Sequence, residues 1–127
     1  MDYKECVEWL YKCMPPFQMV GRSGYKPGME SMRLLDAFLG SPHKNIKTIH
    51  VAGTNGKGSV GAYLESIFHQ DRMYTFHFSS PAVFDWRDCW KRFGEYVSEY
   101  YLIDCASKVY AATYSLDRQY IHPTRFE

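Results

Sequence analysis

Apolar residues recur at helical spacing in two segments near the start of the chain, one on each side of the turn-rich stretch "GRSGYKPG". Residues three or four apart share one face of an α-helix, so this period predicts two amphipathic helices within residues 1–42. Pro15 and Pro16 would end the first helix, and Gly40 with Pro42 would end the second. The apolar positions are Tyr3, Val7, Leu10, Tyr11 and Met14 in the first segment and Met32, Leu35, Phe38 and Leu39 in the second.

The pattern changes at residue 46. Residues 46–52 are β-branched and apolar in alternate places, which predicts a strand, and residues 73–78 predict a second one. Glycines and then a helical stripe lie between them, so residues 46–70 are expected to form a strand, a loop and a helix. A right-handed βαβ unit has parallel strands, which predicts the α/β class. The helical positions are Val60, Leu64, Ile67 and Phe68, and a last helix at about 98–113 carries Leu102, Cys105, Ala106 and Val109.

Charge and cysteine content narrow the classes of partner. Fifteen Lys and Arg against fourteen Asp and Glu leave a net charge of +1, which gives no long-range attraction to nucleic acid or to an anionic membrane. No apolar run approaches the ~20 residues of a membrane span. The four cysteines contain no C-x-x-C pair and no secretory leader precedes them, so neither a zinc framework nor secretion is predicted. We expect a cytoplasmic protein that binds neither nucleic acid nor membranes.

Aromatic residues are concentrated in the second part of the chain. Residues 73–127 hold fourteen of the twenty-two aromatic side chains, and residues 1–72 hold eight. Large rings need other groups to bury against, and a small fragment offers few. The pattern therefore predicts that something normally covers these rings.

The stretch "IHVAGTNGKGSV", residues 49–60, carries the candidate chemistry. Glycines let consecutive N–H groups form a concave nest, and a helix that starts there adds unpaired N–H groups and its positive dipole end, so the loop suits an anion. Lys57 would bring an ammonium group to the outer phosphates, and Ser59 a hydroxyl to phosphate or magnesium. The alternative is a glycine-rich turn with a solvated lysine. The stretch departs from the common phosphate-loop rule because Gly58 separates the lysine from the serine.

The same stretch resembles the phosphate loop of the Mur-ligase-like amide ligases, and its G-K-G-S ending is similar to that of the folylpolyglutamate synthase/dihydrofolate synthase branch. In that branch a glycine also follows the lysine, which explains the departure. Neighbouring stretches fall in the order and at the spacing of the N-terminal part of bacterial folylpolyglutamate synthases: "EWLY", "FQMVGRSGYKPG", "LGSPHKNIKTIHVAGTNGKGS" and "SSP". The resemblance is strong over residues 1–81 and weaker beyond. It implies the N-terminal part of a Mur-ligase-like P-loop domain, a parallel sheet with flanking helices.

The resemblance implies an ATP-dependent ligase of folate metabolism that uses Mg²⁺. In the family, ATP phosphorylates the terminal carboxylate of a folate or of dihydropteroate. The amino group of L-glutamate then attacks the acyl phosphate and leaves an amide and ADP. Such chemistry needs charge neutralisation at the transferring phosphate more than it needs an acid or a base, so no catalytic residue is assigned.

The site residues follow from the match to the family's motifs. Ser80 matches the serine of the family's "T-S-P-H-L" loop and would be a magnesium ligand, although an ordinary turn serine before Pro81 is the alternative. Glu127 matches the glutamate of the family's "F-E" and would be another magnesium ligand. The ATP-binding residues would be Gly53, Thr54, Asn55, Gly56, Lys57, Gly58 and Ser59.

The chain departs from the family in its substrate loop and in length. Ala82 replaces the family's histidine after "S-P", and Cys89 replaces the arginine of its "E-R-I" stretch. Both positions lie in segment 73–95, on the loop that helps to bind the pterin in the family, so the expected substrate contacts are altered. Family members run to several hundred residues and carry a glutamate-binding C-terminal domain. We therefore expect a truncated or decayed member, or a piece of a split gene, that is inactive alone. A polypeptide carrying the missing domain is an expected partner.

The stretch "WRDCWKRF", residues 86–93, mixes aromatic and basic side chains as single-stranded nucleic acid sites do. It aligns without gaps to the substrate loop of the ligases and the chain is nearly neutral, so a nucleic-acid role is disfavoured. Two classes of function remain. One is the ATP-dependent ligase, and the other is a non-catalytic nucleotide-binding or partner-binding remnant of such a ligase. Both would keep the phosphate loop.

Overall fold

The computed structural model describes residues 1–13 and 29–117 of the chain. The chain divides into two units. The helical unit comprises Met1–Lys47 and Ile103–Glu127, and the hairpin unit comprises Thr48–Leu102.

The described residues form helices and a small sheet. The α-helices are α1 (Tyr3–Cys13), α2 (Glu30–Phe38), α3 (Lys57–Gln70) and α4 (Glu99–Asp117), and short 3₁₀ helices span Pro42–Asn45 and Trp86–Cys89. The strands are β1 (His77–Phe78), β2 (Trp90–Arg92) and β3 (Glu95–Tyr96). Within the described residues, no helix is both long enough and apolar enough to cross a membrane.

The core of the helical unit lies between α2 and α4. Leu35 of α2 is buried with Ala112 and Leu116 of α4, and Leu39 packs against them. On α1, Cys6 and Leu10 are buried, and burial raises the pKa of the Cys6 thiol. Leu10, Leu35 and Leu39 belong to the predicted apolar stripes, so the helical period located these buried positions, whereas Tyr11 and Phe38 of the same stripes are exposed.

The hairpin unit contains a three-stranded antiparallel sheet in the order β1-β2-β3. Arg92 pairs with Glu95, which leaves Phe93 and Gly94 as a two-residue turn with φ values of 56° and 75°. Positive φ at both central residues is the signature of a type I′ turn, whose twist suits a tight hairpin. Trp86, Cys89 and Val97 form the buried apolar positions around this sheet.

The predicted strand at residues 46–52 is wrong, since the structure assigns no strand there. A strand is defined by its pairing, and no described strand lies beside this segment to accept its hydrogen bonds. The second predicted strand, 73–78, is confined to its last two residues, which pair with β2. The strands that the structure describes are therefore antiparallel, and the predicted parallel pairing is not among them.

The last helix is longer than predicted, since it ends at Asp117 rather than near residue 113. Its start is set by Ser98, whose Oγ accepts a hydrogen bond from the Tyr101 backbone N–H at 3.1 Å. A serine in that position satisfies one of the donors that every helix leaves unpaired at its first turn.

Candidate nucleotide-binding loop

The candidate phosphate loop, residues 53–59, is exposed along its whole length. Gly56 adopts the left-handed conformation, with φ 79° and ψ 1°, and is the residue immediately before α3. Helical hydrogen bonding begins directly after it, where the Val60 N–H donates to the Gly56 carbonyl at 2.9 Å. A residue with a Cβ is strained in this conformation, so glycine at position 56 is what lets the loop turn straight into the helix.

The first N–H groups of an α-helix have no acceptor within the helix, and Gly56 has no side chain to cap them. At the start of α3 these donors face a loop that is open to solvent. A Cβ added at Gly58 would meet no atom within 4 Å, so there is free space beside the first turn. The arrangement combines unpaired donors, the positive end of a helix dipole and room for a ligand, which are the requirements of an anion site.

The Lys57 side chain folds back over the loop. Its Nζ donates to the Gly53 carbonyl at 2.7 Å and lies 3.4 Å from the Thr54 carbonyl. The ammonium group thus ties the first two residues of the loop to the start of α3. Because the side chain is exposed and flexible, turning it towards a bound anion would break little beyond these two contacts.

Ser80 lies in an exposed position two residues after β1. The preceding residue is tied to the hairpin, since the Ser79 N–H donates to the Cys89 carbonyl at 3.0 Å. Helix α3 is in contact with β1, so the element that follows the candidate loop packs on the element that precedes Ser80. The other predicted magnesium ligand, Glu127, lies outside the described residues.

No group of three or more His, Cys, Asp or Glu side chains that could hold a metal ion occurs within residues 1–13 and 29–117. A metal bound in this part of the chain would therefore depend on ligands such as a serine hydroxyl, phosphate oxygens and water, which magnesium accepts.

A second structured loop was missed by the sequence analysis. Asp88 Oδ2 accepts hydrogen bonds from the N–H groups of Val83, Phe84 and Asp85 at 2.6–3.2 Å, and Oδ1 accepts one from the Tyr96 hydroxyl at 2.5 Å. The hydrogen bond from Tyr96, followed by those from the backbone, holds the pKa of Asp88 well below its usual range. The same hydrogen bond raises the pKa of Tyr96.

This loop forms one side of an open pocket of about 400 Å³. Phe84 is 93% exposed at its rim, and Lys91 is the basic residue in its lining. The signal that could have revealed the loop is the D-x-x-D spacing of Asp85 and Asp88, which forms a capping box around the second 3₁₀ helix.

Comparison with known proteins identifies the family. No protein-family model matches the chain. The dihydrofolate synthase/folylpolyglutamate synthase of Bacillus subtilis is 30% identical over 126 residues, which cover 98% of this chain and 28% of that protein. The solved folylpolyglutamate synthase of Thermotoga maritima is 30% identical, with a TM-score of 0.82 over 98% of this chain and 27% of the other. A solved FPGS complex with AMPPCP is 23% identical, with a TM-score of 0.80 over 99% of this chain and 29% of the other.

These matches share one feature, which is that the chain spans less than a third of the length of each protein. The likeness covers the N-terminal portion of the Mur-ligase fold. The predicted resemblance is therefore confirmed, and the chain belongs to the folylpolyglutamate synthase/dihydrofolate synthase family.

Proposed function

We propose that residues 53–59 bind the triphosphate of ATP as part of a ligase that adds L-glutamate to a folate or to dihydropteroate. The observation that carries this proposal is an exposed, glycine-rich loop that ends at the first turn of α3, where no side chain of the described residues caps the helix. The chain that contains this loop belongs to this family. The AMPPCP complex of a solved relative supports nucleotide as the ligand. AMPPCP is an ATP analogue, so the loop is the natural candidate for its phosphates here.

The proposed roles divide between backbone and side chains. The N–H groups from Gly56 to Ser59 would donate to the phosphate oxygens, because they are the unpaired donors of the helix start. Lys57 would exchange its contact with the Gly53 carbonyl for one with a phosphate. Its charge would then offset the negative charge that builds up on the transferring phosphoryl group.

Magnesium would be held by few protein ligands. We propose that Ser80 and Glu127 supply them, with phosphate oxygens and water in the remaining positions. Ser80 fits this role in one respect, since its exposed position leaves the hydroxyl accessible. Magnesium commonly keeps several waters and binds through one or two protein groups plus substrate phosphates, so the small donor set is compatible with it.

The reaction would be ADP-forming amide synthesis. ATP supplies the phosphoryl group that activates the substrate carboxylate as an acyl phosphate, and the glutamate amine displaces phosphate from it. The described residues would contribute phosphate binding rather than proton transfer. We further propose that the 127 residues alone do not complete ligation, because the chain spans 28% of its Bacillus subtilis relative and rate depends on placing all reactants together.

Calorimetric titration of the purified chain with Mg–ATP tests the proposal. We expect measurable binding that Lys57→Ala weakens and that Lys47→Ala leaves unchanged, because Lys47 is an exposed lysine outside the loop. Binding that is indifferent to Lys57→Ala would remove the loop from the site. In a parallel assay we expect no release of ADP that depends on both folate and glutamate, and such release would contradict the proposed need for further polypeptide.

A partner-binding role is favoured by the apolar surface of the hairpin unit. Exposed apolar residues occur on the segment before the loop, on α3 and around β1: Ile49, Val60, Tyr63, Ile67, Tyr74, Phe76 and Phe78. An exposed apolar surface of this kind marks an interaction site. In α/β proteins, packing between a sheet and its helices usually covers such surface.

We propose as occupant a polypeptide that corresponds to the remainder of the family's fold. Light scattering together with a dye that binds apolar surface tests this second proposal. We expect a dye-binding or self-associated chain, whereas a dye-silent monomer with a cooperative unfolding transition would contradict it.

A further inference from the structure

The side chain of Glu65 is buried, and the proposed nucleotide binding gives no reason for its burial. Glu65 lies in the middle of α3 and is 8% exposed, whereas the apolar Tyr63 and Ile67 of the same helix are 71% and 61% exposed. Burying a carboxylate is costly unless it is paired and hydrogen-bonded. A glutamate in this position, on a helix that leaves apolar residues in solvent, therefore indicates a specific task for its charge.

The two oxygens of Glu65 have different partners. Oε2 lies 3.4 Å from Nδ1 of His77, whose side chain is 16% exposed, and Oε1 accepts a hydrogen bond from the Gly94 N–H at 3.2 Å. His77 is the first residue of β1, and Gly94 is in the turn between β2 and β3. A single side chain of α3 thus holds the antiparallel sheet at two separate points.

Gly61 makes room for this contact. It lies one turn before Glu65, on the same face of α3. A Cβ added at Gly61 would overlap the imidazole of His77, with Nε2 as the nearest atom. Glycine inside a helix is less favourable than alanine, and here the missing methyl lets the ring lie directly against the helix backbone. Position 61, position 65 and position 77 therefore act together.

The contact lies between the two parts of the proposed site. Helix α3 begins at the last residues of the phosphate loop, and β1 leads within two residues to Ser80. Any shift of β1 along α3 would move Ser80 relative to the loop. The Gly94 contact limits the same shift from the opposite side of the sheet, through the β2–β3 turn.

We propose that Glu65 is a positioning residue, which fixes Ser80 relative to the phosphate loop by holding His77 and the Gly94 amide. This inference rests on the proposed function. Glu65 itself would touch neither nucleotide nor magnesium. Its effect would be confined to the magnesium-dependent part of ATP affinity, because the loop donors at the start of α3 do not depend on the contact.

The test compares ATP affinity with and without magnesium in four forms of the chain. Glu65→Gln keeps the shape and an acceptor for the Gly94 N–H but removes the charge that faces His77. Gly61→Ala displaces the imidazole without changing any charge, and it offers a second route if the first variant fails to fold. Glu95→Gln is the control, since it removes one exposed charge from β3 of the same unit.

We expect magnesium to strengthen ATP binding in the unchanged chain and in the control. In Glu65→Gln and Gly61→Ala, we expect that gain to fall roughly tenfold, the order of magnitude associated with one polar contact of a charged group, while magnesium-free affinity stays the same. A gain equal to that of the unchanged chain would overturn the positioning role. So would a parallel loss of affinity in both conditions, which indicates a purely structural pair. Absence of ATP binding in the unchanged chain would instead overturn the proposed function, and the inference with it.

Discussion

Two loops of the hairpin unit each bring several backbone N–H groups together, and the two loops differ in what accepts hydrogen bonds from these groups. In the candidate phosphate loop, residues 53–59, backbone N–H groups at the start of α3 face solvent, and the Lys57 ammonium donates to carbonyls of the loop itself. In the Asp88 loop, residues 79–89, three consecutive backbone N–H groups converge on one carboxylate of the chain. Converging N–H groups form a nest for a negative charge in either case.

The difference lies in where the negative charge comes from. The nest at residues 83–85 is satisfied by Asp88, so those donors have no capacity left for a ligand. Within residues 1–13 and 29–117, no side chain caps the start of α3 with a hydrogen bond. A loop whose N–H donors are satisfied by a carboxylate of the same chain is held in a fixed shape. A loop whose donors lack such an acceptor is suited to binding an anion. The comparison teaches that local backbone shape alone does not separate a binding loop from a structural one.

The largest effect is expected from Asp88→Ala, which would leave four donors without their acceptor. We expect the melting temperature of the chain to fall by several degrees and the amides of residues 83–85 to exchange faster with solvent. Asp71→Ala removes an exposed carboxylate at the end of α3 and serves as the control. Unchanged exchange at residues 83–85 would mean that the Asp88 loop is not held from within.

A smaller effect is expected from pH, through the hydrogen bond between Tyr96 and Asp88. Because this bond lowers the pKa of Asp88, its contribution is complete above the ordinary aspartate pKa of about 3.9 and is lost as pH falls through the lower value of the folded state. Because it raises the pKa of Tyr96, the contribution is complete below about 10 and is lost as pH rises through the raised value.

Thermal unfolding of the chain and of Tyr96→Phe across this range measures the contribution. We expect the two melting temperatures to differ by a constant amount between about pH 4 and pH 10 and to converge outside it. A difference that does not change with pH would contradict this prediction, because Tyr96→Phe removes only the hydroxyl and its contribution would then not depend on the ionisation of Asp88 or Tyr96.

The smallest effects are expected from two glycine substitutions. They distinguish a glycine required by the backbone conformation from a glycine required for ligand binding. Gly94 has φ 75°, so Gly94→Ala should cost about 1–2 kcal/mol of unfolding free energy. Gly58 is helical with free space around it, so Gly58→Ala should leave stability unchanged or slightly higher. We expect Gly58→Ala to weaken ATP binding nonetheless, since its methyl would enter the space beside the helix start. Chemical denaturation and calorimetry give the two quantities, and a destabilised Gly58→Ala would contradict the distinction.

The sequence was informative wherever a local requirement decides the structure. The junction of loop and helix requires a left-handed backbone at Gly56, and the glycine-rich sequence around it indicates such a requirement. Leu10 and Leu35 lie at helical spacing within single segments, so their burial follows from the period. The resemblance to the ligase family was carried mainly by the stretch around Gly56, residues 49–60, and the comparisons confirm it.

The sequence was misleading wherever a partner distant in the chain decides. Residues 46–52 have the composition of a strand, but strand formation requires a neighbour, and the described residues supply none. Phe93 is not a typical turn residue, so the type I′ turn was not anticipated. Glu65 was not singled out from the sequence, because its burial depends on β1 and the β2–β3 turn packing on α3.

The most direct test of the account is to follow the backbone amide resonances of the chain while ATP is added. If the open nest at the start of α3 is the phosphate site, the largest shifts will be at Gly56, Lys57, Gly58 and Ser59. The amides of Val83, Phe84 and Asp85 will move little, because Asp88 already occupies them. Shifts concentrated in the Asp88 loop, or no shifts within residues 53–59, would contradict the account.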